Sequence, residues 1–214
     1  MVKLYAYWGS SCSWRARLAL GIKGIEYESV PVDLLAAEQH VAGFEATSPL
    51  RQVPVLELEH EGKLRRFSQS VAIIEFLEEL KPTPALYPSS AADRAVVRQL
   101  VEMVNAGIQP LQNLFVLLEI DRLGGDRLSW AQLFVQRGLE ALEAAARPHA
   151  GKFCFGDAVT AADVFLAPQL FNARRFSMDL QAYPTLLRAE ASLQAHPAWA
   201  SAHPDAARGE SEAP

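Results

Sequence analysis

The apolar positions of the first eighty residues alternate between strand-like and helix-like spacing. Short apolar runs predict strands at Lys3–Trp8, Tyr27–Val32, Val53–Leu58 and Leu64–Phe67. A helical spacing predicts helices over residues 13–23 and about 70–80. Residues 33–50 carry little pattern beyond one short helix near 37–44. The predicted order is therefore βαβ, a variable segment and ββα, with the first two strands parallel.

After this region the strand pattern disappears. Three prolines within residues 81–90 predict a linker. Helical spacing then predicts a long helix over 91–120, bent or ended near Gly107 and Pro110, and a last helix from about Pro184 to Ala195. Between these two helices, capping boxes at Ser129–Gln132 and Thr160–Asp163 predict the starts of two more helices.

The fold class is thus α/β plus all-α. We expect an α/β domain over residues 1–81, a linker over 82–90, an all-helical domain over 91–203 and a disordered tail over 204–214.

Composition narrows the function classes. The formal net charge of −5 and the lack of a basic cluster argue against nucleic acid as a partner, and no apolar run approaches a membrane span. Cys12 and Cys154 lie far apart and neither belongs to a C-x-x-C pair, so we expect neither a disulfide framework nor a metal site. The start of the chain lacks a signal-peptide pattern, and we expect a cytoplasmic protein.

The stretch Ser10-Ser11-Cys12 carries the clearest chemistry. It lies between a predicted strand and a predicted helix, where the first helix N–H groups and the positive end of the helix dipole point outward. Two hydroxyls and a thiol at this place predict a site that stabilises a thiolate. From these residues alone, the thiolate is either that of Cys12 or one carried by a ligand.

Two further dipeptides point to a ligand site. A cis peptide bond at Val53-Pro54 would turn the Val53 backbone outward to pair with an extended ligand, although an ordinary trans proline is the commoner outcome. Gln69-Ser70 precedes a helix whose free N–H groups could hold a carboxylate, and simple capping by Ser70 is the alternative.

These segments resemble the zeta-class glutathione transferases, the maleylacetoacetate isomerase family. The resemblance covers about residues 2–200. The motifs specific to this family are Ser10-Ser11-Cys12-Ser13-Trp14-Arg15-x-Arg17 and Gly107-Ile108-Gln109-Pro110-Leu111-Gln112-Asn113. The motifs shared more widely among glutathione transferases are Gln52-Val53-Pro54-Val55, Gln69-Ser70 and Thr160-x-x-Asp163.

The resemblance implies a thioredoxin-like domain followed by a helical bundle, a cis Pro54 and glutathione as cofactor. It implies that Ser10, Ser11 and Cys12 surround the glutathione sulfur, that Val53 pairs with the cysteinyl part, and that Gln69 and Ser70 hold the γ-glutamyl end. It adds Gln39, Gln109 and Asn113 as glutathione contacts and Arg175 as the anchor of a substrate carboxylate. Structural or surface roles remain open for Gln109, Asn113 and Arg175, and are favoured for Arg15 and Arg17.

The function implied is cis–trans isomerisation of maleylacetoacetate, a small unsaturated dicarboxylate, to fumarylacetoacetate in tyrosine and phenylalanine catabolism. The resemblance also implies a homodimer, with Phe67 a candidate for its interface. One departure concerns the substrate: many relatives carry an arginine immediately before the two serines, where this chain has Gly9.

Four alternatives stay open. Two keep the fold and change the substrate, to maleylpyruvate or to small α-halo acids. A third is a glutaredoxin-like reductase that uses Cys12 as its nucleophile. The fourth is a non-catalytic binding scaffold.

Overall fold

A computed structural model describes residues 1–208 of the chain. The chain forms two compact units. The first consists of Met1–Pro84 together with the chain from Pro197 onward, and the second of Ala85–His196. The sequence places the first break near the same point, but it does not predict that the end of the chain returns to the first unit.

The first unit follows the predicted βαβ–ββα order. Its elements are β1 (Lys3–Ala6), α1 (Ser11–Lys23), β2 (Glu28–Pro31), a 3₁₀ turn (Glu38–His40), α2 (Phe44–Thr47), β3 (Val55–His60), β4 (Lys63–Ser68) and α3 (Ser70–Leu80). The strands form one sheet in the order β2-β1-β3-β4. β1 and β2 are parallel and the other two pairs are antiparallel, so the predicted thioredoxin-like arrangement is confirmed.

Helix α1 lies in the centre of this unit. The apolar residues Trp14, Leu18 and Ile22 lie on one buried face of the helix. Ten of the thirteen residues of α1 are buried, so its other faces are covered too. Gly24 ends the helix in the left-handed region (φ 58°), and the Ile25 N–H bonds to the Leu20 carbonyl at 2.9 Å, as expected for a Schellman cap.

A buried ion pair closes the far end of α1. The Lys23 Nζ lies 2.5 Å from a Glu78 carboxylate oxygen in α3 and 2.6 Å from the Pro84 carbonyl. Lys23 is fully buried, so removal of Glu78 would leave its charge without that compensation. This contact fixes α1 against α3 at the end opposite to the Ser10 turn.

The second unit is helical, as predicted, with different helix starts. Its elements are α4 (Ala91–Asn105), a 3₁₀ turn (Gln109–Gln112), α5 (Leu114–Arg122), α6 (Arg127–Ala146), α7 (Ala161–Arg175) and α8 (Pro184–Gln194). The helix expected over 91–120 is interrupted around Gly107 and Pro110, because proline lacks the N–H that a helix interior requires. The capping box expected at Ser129 is wrong: Asp126 caps α6 by accepting the Leu128 N–H at 2.9 Å.

The capping box at Thr160 is confirmed and buried. The Asp163 carboxylate accepts from the Thr160 N–H and from the Cys154 N–H, each at 2.8 Å. Burial raises the pKa of Asp163, and these hydrogen bonds to its charged form offset part of the rise.

The disordered tail expected after residue 203 is wrong for the residues that the structure describes. Helix α10 (Pro204–Ala207) lies there, directly after α9 (Ala198–Ala202), which packs on α1. Small polar residues predict disorder only when they bury nothing, whereas here Pro204 is buried. Residues 209–214 of the expected tail lie outside the described residues. None of the helices within residues 1–208 combines the length and apolarity that a membrane crossing requires.

We predict that Gly138→Ala destabilises the protein although alanine is the better helix former. A Cβ at Gly138 in α6 would lie 2.2 Å from Cγ1 of the fully buried Ile108. Overpacking of a core costs roughly 1–3 kcal/mol, whereas the gain in helix propensity is about 1 kcal/mol. Chemical denaturation would measure the difference, with the exposed Ala144→Gly in the same helix as a gauge of the propensity effect alone. A more stable Gly138→Ala protein would contradict the close packing.

Candidate active site

The register of the sheet brings three chain segments to one edge. Tyr5 in β1 pairs with Val55 in β3, which pairs with Ser68 in β4. The residues that follow β1, precede β3 and follow β4 therefore lie side by side, on strands about 4.8 Å apart. These residues are the turn to Ser10, the Val53-Pro54 dipeptide and the Gln69-Ser70 dipeptide. The structure thus brings together most of the residues that the sequence assigns to glutathione.

Ser10 caps helix α1. Its Oγ accepts the Ser13 N–H at 3.2 Å, and its carbonyl accepts the Trp14 N–H at 2.9 Å. Because that lone pair of the hydroxyl is occupied, the hydroxyl proton is available to donate to a ligand. The N–H groups of Ser11 and Cys12 have no partner within residues 1–208. The turn therefore offers a hydroxyl and two N–H donors at the positive end of the helix.

The two cysteines differ in environment. Cys12 is half-buried on the first turn of α1 and Cys154 is buried, and both are free thiols. Burial and the nearby Asp163 carboxylate raise the pKa of the Cys154 thiol, so Cys154 is unsuited to react as a thiolate. Of the two, Cys12 alone belongs to the candidate site.

The backbone N–H and carbonyl of Val53 are available to a ligand. The Val53–Pro54 bond is cis, as the family resemblance implies. β3 begins only at Val55, and neither the N–H nor the carbonyl of Val53 has a hydrogen-bond partner among the described residues. A peptide-like ligand could pair with both groups as a short added strand.

The start of α3 is the second set of unused donors. The N-cap residue is Gln69 and not Ser70, which corrects the sequence assignment, and no side chain caps this helix. Gln69 takes φ 73°, in the region that only glycine visits freely, because β4 passes into α3 without an intervening loop. The N–H groups of Ser70, Val71 and Ala72 are consequently unbonded within the described chain, which suits a carboxylate.

Arg15 connects the two helix starts. It is fully buried, and its Nη1 donates to the Ser70 Oγ at 3.3 Å. The Ser70 hydroxyl therefore keeps its own proton for a ligand. Arg17 is also buried, so the structural reading of both arginines agrees with the structure and the surface reading does not.

Gln39 lies in the 3₁₀ turn after β2 and is half-buried. Its Oε1 is buried and has no hydrogen-bond partner within residues 1–208. No hydrogen bond of the described chain joins it to the Ser10 turn or to Gln69. An unpaired amide oxygen is a possible acceptor for a ligand N–H, and the assignment of Gln39 stays a prediction.

Gln109, Asn113 and Arg175 belong to the second unit. Gln109 starts the 3₁₀ turn before α5, and Asn113 caps α5 through its Oδ1, which accepts the Phe115 N–H at 3.1 Å. Neither lies on the long helix that the sequence predicts. Asn113 has a structural task, whereas the structure records none for the Gln109 side chain within the described residues.

Arg175 differs from its neighbour Arg174 at the end of α7. Arg174 binds both carboxylate oxygens of Glu190, at 2.7 and 2.5 Å. Arg175 is exposed, and its guanidinium has no partner within residues 1–208. Of these two arginines, Arg175 is therefore the one available to a ligand carboxylate.

Sequence reasoning missed two contributors. Gln52 is held by Ser48, and its Oε1 accepts from the Gln69 Nε2 at 3.4 Å, so it steadies Gln69. Arg15 supports Ser70 from behind. Gln52 and Arg15 both lie in the family motifs given above, and this was the signal in the sequence that could have identified them. Their burial and hydrogen-bond partners depend on tertiary contacts, which a single sequence does not reveal.

Known proteins are similar to this chain over nearly its whole length. Residues 9–80 match the glutathione S-transferase N-terminal domain family, and residues 135–208 match the C-terminal domain family. Maleylacetoacetate isomerase of Rattus norvegicus is 43% identical over 203 residues, which cover 94% of this chain and 91% of that protein.

Solved structures give the same picture. Maleylacetoacetate isomerase of Anaeromyxobacter dehalogenans, with glutathione bound in its active site, is 49% identical with a TM-score of 0.90, covering 100% of this chain and 98% of that one. A bacterial zeta-class maleyl pyruvate isomerase is 38% identical with a TM-score of 0.88, covering 95% and 97%.

We predict that Arg15 acts on a ligand carboxylate through Ser70. Arg15→Lys and Ser70→Ala should each weaken glutathione binding about tenfold, the size of one charge-assisted hydrogen bond. If Arg15 acts through Ser70, the double variant should bind no more weakly than Ser70→Ala alone. Titration calorimetry on variants with verified thermal unfolding would measure this, and strictly additive losses would contradict the coupling.

Proposed function

This chain belongs to the maleylacetoacetate isomerase family, the zeta class of the glutathione transferases, and we propose that it isomerises maleylacetoacetate to fumarylacetoacetate with glutathione as cofactor. The observation that carries the proposal is the Tyr5–Val55–Ser68 register, which brings the Ser10 turn, the free Val53 backbone and the uncapped start of α3 to one edge of the sheet.

The donors and acceptors at this edge fit glutathione, group by group. The unpaired N–H groups at Ser70, Val71 and Ala72, with the Ser70 hydroxyl, suit the γ-glutamyl carboxylate. The unpaired Val53 N–H and carbonyl suit the cysteinyl backbone of a tripeptide. Ser10, Ser11 and Cys12 would then stand around its sulfur. Gln39 and Gln109 remain further candidate contacts with unassigned partners.

Ser10 is the residue we assign to activation of the thiol. A thiol with a pKa near 8.5 is only a few per cent ionised at pH 7, and a decrease of about two units costs roughly 2.7 kcal/mol. One hydrogen bond to a charged group contributes about 1.5–3 kcal/mol, and a helix N-terminus adds about 0.3–1 kcal/mol. The Ser10 hydroxyl with the N–H groups of Ser11 and Cys12 can supply this amount.

When bound, glutathione supplies a thiolate that adds to the cis double bond, allows rotation about the resulting single bond and leaves again unchanged. The residues of the chain itself must hold the carboxylates of the substrate while the bond rotates. Arg175 is our candidate for that task because its guanidinium is exposed and unpaired within the described residues.

Maleylpyruvate isomerisation is the second candidate. It is favoured by the similarity to a bacterial maleyl pyruvate isomerase. Gly9, which stands where many relatives carry an arginine, leaves the choice between the two diacids open. Both substrates are cis-unsaturated diacids, so the thiol chemistry would be the same and only the carboxylate contacts would differ.

We further propose a cytoplasmic homodimer that acts in tyrosine and phenylalanine catabolism. Two free thiols and a need for reduced glutathione suit a reducing compartment. The exposed edge strand β4 carries Leu64, with 62% of its surface accessible, and Phe67, whose ring packs against that of Phe76, and together they form an apolar surface that a second copy could cover.

We predict glutathione-dependent isomerisation, visible as a change in the ultraviolet absorbance of maleylacetoacetate, and its loss in Ser10→Gly. Glycine keeps most of the stability of a helix cap, so this variant removes the hydroxyl with little effect on α1. The kcat should fall about 100-fold, as when one donor to a developing charge is removed. If the parent protein isomerised none of the cis-diacids, the proposed function would be overturned.

Two controls separate Ser10 from its surroundings. Ser90→Ala removes a comparable cap, from α4, and should leave kcat unchanged. Cys12→Ala should retain activity within about threefold, since the thiolate belongs to the ligand. An inactive Cys12→Ala protein that still binds glutathione would favour the glutaredoxin-like alternative.

We predict that Gly9→Arg improves the use of diacid substrates. A Cβ at Gly9 would lie 3.2 Å from the half-buried Tyr7 ring, a tight contact that a small ring movement relieves. An added guanidinium should lower the KM for maleylacetoacetate up to about tenfold, with glutathione affinity unchanged. Gly9→Gln is the uncharged control of similar reach. An equal KM for the parent and Gly9→Arg proteins would show that this position does not meet the substrate.

A further inference from the structure

Residues 197–208 run along helix α1 toward the Ser10 turn. We refer to residues 197–208 as the C-terminal segment. Its contacts follow α1 from near the C-terminal end of the helix back past its start. Ala198 packs at Gly21, the Ala202 carbonyl accepts from Arg17, Trp199 and His203 pack edge-on against Trp14, and Arg208 lies over Trp8. The segment therefore reaches the turn that presents Ser10.

Arg17 lies at the centre of these contacts. It is 3% exposed, and all three of its hydrogen bonds go to backbone carbonyls. Its Nε donates to Ala202 at 2.9 Å, its Nη2 to Trp8 at 3.0 Å and its Nη1 to Tyr7 at 3.4 Å. One side chain thus joins the C-terminal segment to two consecutive carbonyls of the turn.

The Tyr7 carbonyl connects Arg17 to Ser10. The same oxygen accepts the Ser10 N–H at 3.1 Å, so Arg17 and Ser10 share one acceptor. We infer that Arg17 is a positioning residue through which the C-terminal segment fixes the orientation of Ser10 toward the sulfur. This inference rests on the proposed function.

The chemistry of the guanidinium explains why the residue is an arginine. A planar fork can bond three carbonyls in different directions at once, whereas the single ammonium of lysine cannot span them. Tyr27 acts on the Arg17 charge. The elements packed around Arg17 also carry the titratable groups Tyr7, Cys12, Arg15, Lys23, His203, Asp205 and Arg208. Burial lowers the pKa of Arg17 to about 10, which leaves it a cation at neutral pH.

Arg17→Lys tests the inference, because it keeps the charge and loses the fork. The readout is the apparent pKa of the bound glutathione thiol, taken from its thiolate absorbance in a pH titration of the full-length protein. We expect that pKa to rise by about one unit and kcat at neutral pH to fall about tenfold. The KM for the diacid should change less than about threefold, because Arg17 does not touch substrate.

Trp199→Ala provides a second, independent perturbation. It leaves Arg17 intact and loosens the C-terminal segment at Trp14, so the thiol pKa should rise in the same direction. Arg122→Lys, an exposed arginine paired with Glu119, is the matched control and should have no effect. If Arg17→Lys does not fold, the Trp199→Ala result decides.

The two possible failures are distinguishable. A parent protein that shows the glutathione thiolate, together with folded variants of unchanged thiol pKa, would overturn the positioning role alone. A parent protein that shows neither a bound thiolate nor isomerisation would overturn the proposed function, and the positioning role with it.

Discussion

The antiparallel register of β1, β3 and β4 is the constraint on which the candidate site depends. Leu4 pairs with Leu56, and both are fully buried. A slip by one residue would turn these side chains to the opposite face of the sheet, so packing of the core fixes the register. The same register decides which residues follow β1, precede β3 and follow β4 at one edge. Core packing and ligand binding are thus determined together.

The two helix starts at that edge meet the same physical requirement in different ways. Each helix begins with N–H groups that lack a partner inside the helix. At α1, Ser10 satisfies one of them and keeps its proton for a ligand. At α3 none is satisfied by a side chain, and Gln69 takes a left-handed conformation that costs about 1–3 kcal/mol. The conformation of Gln69 lowers the local stability at the start of α3, and an anionic ligand that accepts the unbonded N–H groups there would recover part of that cost.

The parts of the fold that were predictable carry local signals. The spacing of apolar residues predicted the order of strands and helices along the first unit, because that spacing depends on neighbouring residues. The caps of α3 and α6 were misplaced by one and three residues, since several polar residues in each stretch are competent to cap. The helices after Pro197 could not be predicted, because the Arg17–Ala202 contact that holds them joins residues 185 positions apart.

The arginines show most clearly where sequence reasoning ends. Arg15 and Arg17 lie in one family motif, and Arg174 and Arg175 are neighbours in the chain, with nothing local that ranks the four as ligand contacts. Burial and partners rank them: Arg15 and Arg17 support the site from within, Arg174 is occupied by Glu190, and Arg175 is left available. Every group assigned to thiol activation lies in the first unit, whereas Arg175 lies in the second. The groups assigned to thiol activation and the arginine assigned to the diacid are therefore different residues in different units, so a substitution of Arg175 can alter the choice of diacid and leave the thiolate site in place.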